Sequence, residues 1–153
     1  MAFARSLDAS LAISVSLAMV ILVALKGDAL YVGLWYYVAV PVVMLGVCAA
    51  FRPAPLFLFG VACAIAISML ALMSVNWRAA RPEGLLGLGH LFSLPAAFVV
   101  VAATALVARR KQIVRPIPAF LLGLGACGGG YFIGQLLVCN TLMWCGPMSL
   151  PIK

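Results

Sequence analysis

Charge is what this chain has least of. Only 8% of its 153 residues are charged, and the acids number three, Asp8, Asp28 and Glu83. A soluble domain carries about 25% charged residues. The three acids fall at segment ends or in connections, so no apolar run holds a carboxylate pair. That argues against a proton-coupled transporter or an intramembrane aspartyl protease, which place ionisable groups inside the bilayer. Phosphate-cradling GxxxxGK loops are missing, as is any strand to lead into one. No basic stripe interleaves with aromatics, which excludes binding of a nucleic-acid strand. The single histidine, His90, has no carboxylate or cysteine near it in sequence. It reads as a polar anchor at a helix start rather than a metal ligand or pH sensor. Nothing here makes a catalytic set, a metal site or a cofactor site, and the chain is expected not to be an enzyme.

What the chain does have is apolar surface, at 67% hydrophobic residues. A domain this small buries only about two-thirds of its surface, so water cannot be the solvent for all of it. Crossing the hydrocarbon core takes about 20 apolar residues. Five segments come near that length: about 9–25, 30–51, 55–77, 88–108 and 118–139. The expected fold is a single all-α membrane domain over 1–153, a bundle of about five transmembrane helices. It becomes four if the first and shortest segment does not span. Arg5 ahead of that segment resembles the start of a secretory signal, but no convincing small-x-small cleavage site follows. Short connections, "KGDA" (26–29) and "RPAP" (52–55), make the first helices antiparallel neighbours, and no loop leaves room for a soluble domain.

Lys and Arg outnumber the acids and give a net charge of +7. With five spans, Arg5, Arg52, Arg109, Arg110, Lys111 and Arg115 fall on one side. Lys26, Arg78, Arg81 and Lys153 fall on the other. The richer side is expected in the cytoplasm, which puts the N-terminus inside and the C-terminus outside a plasma (inner) membrane. Tyr31, Trp35, Trp77 and Trp144 fall near the outer ends of their segments, as interfacial rings do. Arg109, Arg110, Lys111 and Arg115 also suit anionic lipid headgroups.

The stretch "GACGGGYFIG" (125–134) carries five glycines in ten residues. In lipid, small residues let helix backbones approach closely. Gly123, Ala126, Cys127, Gly130 and Gly134 share one helical face, and Gly125 with Gly129 forms a second small patch. The first face suits packing within the bundle. Docking of another membrane protein or a second copy is the second reading, and a helix locally unwound at "GGG" (128–130) to line a substrate site is the third. Gln135, beside Gly134, calls for a partner across a helix interface. Pro41 and Pro95 are expected to kink the second and fourth helices.

Cys48, Cys63 and Cys127 lie within spans and read as small apolar residues. Cys139 and Cys145 flank "NTLMW" and suit a disulfide in an oxidising compartment. Their alternative is a thiol pair that oxidises partners or, with Met143 and Met148, holds a soft metal. The functional expectation is a non-enzymatic bundle acting through helix contacts, as an accessory or assembly subunit or an immunity-type binding protein. The alternatives are a small transporter or channel, soft-metal or thiol-linked, and a thiol-based redox protein.

Overall fold

The computed structural model describes residues 2–79, 84–111 and 115–142, with side chains from residue 5 onward. Within them the chain folds into five α-helices: α1 (Ala2–Lys26), α2 (Leu34–Ala50), α3 (Phe57–Arg78), α4 (Leu85–Arg110) and α5 (Pro116–Thr141). Four of these, all but α2, are long and apolar enough to cross a membrane. Arg81, Glu83, Met143, Trp144, Cys145, Met148 and Lys153 lie outside the described residues.

The shortest helix is not the one the sequence suggests. The first segment extends as helix from Ala2 through Lys26, with a 22-residue apolar span beginning at Arg5. The second loses its first turn and keeps 17 residues. Asp28 explains the loss. Its carboxylate accepts hydrogen bonds from the backbone N–H of Leu30 (3.0 Å) and of Gly33 (2.6 Å), which folds 28–33 into a turn. Gly33, at φ 84°, then admits the chain to α2. At about 1.5 Å per residue α2 is some 25 Å long, against about 30 Å for a hydrocarbon core.

α3 lies at the centre and touches all four other helices. α4 and α5 form the most extensive pair, α5 also lies along α3, and α1 packs on the opposite flank of α3. α2 leans more lightly on α1, α3 and α4. Helices consecutive in sequence run antiparallel, while α1, α3 and α5 run parallel to one another, so the bundle has two ends. At one, Lys26 Nζ sits 5.4 Å over the Trp77 ring and Asn76 Nδ2 donates to the Ala29 carbonyl (2.7 Å). At the other, α1 meets the start of α3 through Asp8. This residue lies inside α1 rather than ahead of it, and is buried. It accepts from the N–H of Phe59 (2.8 Å) and of Leu58 (3.3 Å), the orphan donors of the first turn of α3. Leu56, the residue before that turn, has no side-chain cap of its own, so a carboxylate fifty positions away in sequence serves as the cap.

Arg5, Arg52, Arg109, Arg110, Lys111 and Arg115 are all exposed at the Asp8 end. Lys26 and Arg78 are exposed at the other.

Candidate functional site

Beneath the Lys26 end, three helices converge on His90, which is fully buried. Ser68, on α3, donates its hydroxyl proton back to the Ile65 carbonyl at 2.8 Å. Its oxygen therefore faces His90 Nε2, 3.0 Å away, as an acceptor. Nδ1 lies 2.6 Å from the Tyr36 hydroxyl on α2. The arrangement fits the neutral Nε2–H tautomer, with Nδ1 accepting from Tyr36. Its ring meets Tyr36 edge-on, with centroids 5.8 Å apart, and Tyr131 of α5 at 4.9 Å and a 41° tilt.

One turn along α4, buried Ser93 lies 2.8 Å from the Gly89 carbonyl and 2.7 Å from Gln135 Oε1. Its one proton serves these two acceptors. Gln135 Nε2 in turn donates to Cys139 Sγ at 3.6 Å. The partner that Gln135 calls for across a helix interface is therefore Ser93. Above this layer Tyr37 donates to Asp28 Oδ1 at 2.7 Å. Burial works to raise the Asp28 pKa, but the hydrogen bonds from Tyr37, Gly33 and Leu30 outweigh it and hold the carboxyl below its ordinary value.

Among the described residues no buried side-chain nitrogen or oxygen lacks a hydrogen-bond partner. Nor do three or more His, Cys, Asp or Glu side chains gather there as a metal cluster. Two grooves flank α2, one of about 380 Å³ against α4 and one of about 390 Å³ against α1. Their walls are almost wholly apolar side chains such as Val43, Leu94 and Phe98 in the first and Ile13, Leu17 and Val42 in the second.

α5 has two different glycine faces. A Cβ on Gly123 would strike the backbone of α3 at Phe57, and one on Gly60 of α3 would strike α5 at Phe120. On Gly130 it would lie 2.8 Å from the Ala97 Cα of α4, and on Gly134 3.0 Å from the Ser93 Cα. Ala126 and Cys127 are buried in the same seam. The Gly123, Ala126, Cys127, Gly130, Gly134 face is filled by the chain's own α3 and α4, with Gln135 tied to α4. It leaves no room there for a second chain, and α5 is continuous helix through the glycines rather than unwound. Gly125, Gly128 and Gly129 are different: an added Cβ at any of them meets nothing within 4 Å.

Comparison with known proteins finds no matching family model, no similar curated protein and no similar solved structure.

Cys139 is disulfide-bonded, while Cys48, Cys63 and Cys127 are free thiols. Cys145, the expected partner of Cys139, lies outside the described residues. Arg109, Arg110, Lys111 and Arg115 flank the α4–α5 connection, all exposed. Sequence reasoning missed the His90 centre and treated the histidine as an interfacial anchor. The available signal was depth: Tyr36, Ser93 and Gln135 all fall in the half of their helices nearest the Lys26 end, as His90 does.

Proposed function

We propose that this chain is a non-enzymatic polytopic protein of the plasma (inner) membrane that works by helix–helix contact, with the outward glycine face of α5 as the contact surface. The observation that carries the reading is the open trio Gly125, Gly128 and Gly129. Packing within the chain accounts for Gly60, Gly123, Gly130 and Gly134. It does not account for these three, each of which costs a water-exposed helix about 1 kcal/mol relative to alanine. Large apolar residues, Leu121 a turn before them and Phe132 and Ile133 a turn after, are exposed. A small-residue stretch bracketed along the helix by bulky side chains admits a second transmembrane helix to close range at the glycines. An accessory or assembly role follows from such a surface. The cation-rich Asp8 end faces the cytoplasm in this reading.

The test is purification of the tagged protein from its own membranes in mild detergent, for the wild type and two variants. The double variant Gly125→Leu/Gly129→Leu accumulates normally and loses its stoichiometric companion, or its self-association. Gly130→Leu fails to accumulate because the added side chain meets the α4 backbone. Wild-type protein without companion or self-association would overturn the proposal, and so would a companion retained by the double variant.

A further inference from the structure

A different part of the molecule carries a second inference, which does not rest on the α5 reading. Three features mark α2 among the described residues. The chain enters and leaves it through left-handed backbone: Tyr31 (φ 57°) and Gly33 (φ 84°) before it, Arg52 (φ 50°) and Leu56 (φ 70°) after it. Three of those four residues carry side chains, for which that conformation is unfavourable. A groove lies along each flank, against α1 and against α4. Its polar anchors are concentrated in its first turn, where Tyr36 bonds to His90 and Tyr37 to Asp28. From Val38 to Ala50 its side chains are apolar.

We infer that α2 is a hinged element, latched over His90 by the Tyr36 hydroxyl and able to swing away from the bundle. The positive-φ residues at both ends are the positions that absorb the backbone change. The grooves give the helix space to move without first displacing packed side chains. Tyr36 closes the Nδ1 edge of the His90 ring, and Tyr131 lies against the ring at 4.9 Å. When α2 leaves, Nδ1 loses its donor and the ring faces the groove between α2 and α4. Ser68 and Tyr131 stay in place, because they belong to α3 and α5.

His90 is the chain's single histidine, so its chemistry reports the latch without ambiguity. The untagged protein in detergent is treated with diethyl pyrocarbonate, and modification at His90 is followed by mass spectrometry. Tyr36→Phe, which keeps the ring and removes the hydroxyl, raises the rate about tenfold, the factor expected for one lost net hydrogen bond. Tyr131→Phe leaves the rate unchanged. Equal rates in wild type and Tyr36→Phe would overturn the proposal, as would an equal rise in both variants. Amide hydrogen exchange of the wild type is the second measurement and needs no variant. The α2 amides exchange faster than those of α3 under conditions where the bundle stays folded; equal protection of the two helices would also overturn the latch.

Discussion

At His90 two hydrogen bonds and two aromatic rings replace the water that an imidazole would otherwise hold. Both ring nitrogens are used, so the loss of either partner leaves a buried polar atom orphaned. Tyr36→Phe strands the Nδ1 acceptor and Ser68→Ala strands the Nε2–H. Each is expected to lower stability by about 1–2 kcal/mol, between the low values measured for interhelical bonds in membranes and the cost of a buried unsatisfied group. Denaturant unfolding in micelles measures this, and a Tyr36→Phe/Ser68→Ala double variant costs less than the sum if the two bonds act through one ring. Asp28 gives a pH signature with a definite sign. Its carboxyl titrates lower in the folded protein than in the unfolded chain, so the unfolded state binds more protons as pH falls. The stabilisation is complete above the unfolded value of about 4, and is lost as pH drops through the folded one. Thermal unfolding is therefore expected to be flat in its Asp28 contribution from pH 7 to about pH 5. Below that the wild type loses stability more steeply than Asp28→Asn, and parallel curves would remove Asp28 from the account.

At the scale of helices, glycine position decides consequence. Gly123→Ala drives a methyl group into the α3 backbone, where no flexible side chain can yield. Overpacking of that kind costs about 1–3 kcal/mol. Gly125→Ala meets open space, and is neutral or stabilising by up to about 1 kcal/mol through helix propensity. Comparing the unfolding of the two separates packed from open positions on α5. This contrast was half legible in the sequence. The spacing of Gly123, Gly130 and Gly134 defines a common face, because helical periodicity is fixed by geometry. Which of two small-residue faces turns inward depends on how α5 rotates against α3 and α4, and that is a tertiary fact. The start of α2 was misjudged for a related reason: Leu30, Tyr31 and Val32 are apolar enough to continue a helix, but Asp28 takes the backbone N–H of Leu30 and of Gly33 and folds the stretch into a turn. Asp8 likewise looks like a residue ahead of a span until α3 brings its unsatisfied N–H groups alongside. Apolar length is written locally, whereas the polar bonds that tie one helix to another join residues from 22 to 54 positions apart in sequence.

For the molecule as a whole, the five helices place Lys26 and Arg110 at opposite ends of the bundle. Single-cysteine labelling at the 26–27 turn and at Lys111, in a background without the native thiols, is expected to show opposite sidedness, with Lys111 protected in intact cells. Labelling of both positions from one side would mean that the bundle does not span as a unit. The short α2 has one more consequence, for the lipid rather than the protein. Its 17 residues stand beside partners of 22 to 26. If the bundle spans as proposed, acyl chains packed against α2 compress, or their headgroups sink, while those against α4 and α5 need not. The annulus is then lopsided, thinned on one flank only, and a thicker bilayer would pull first on the helix that covers His90.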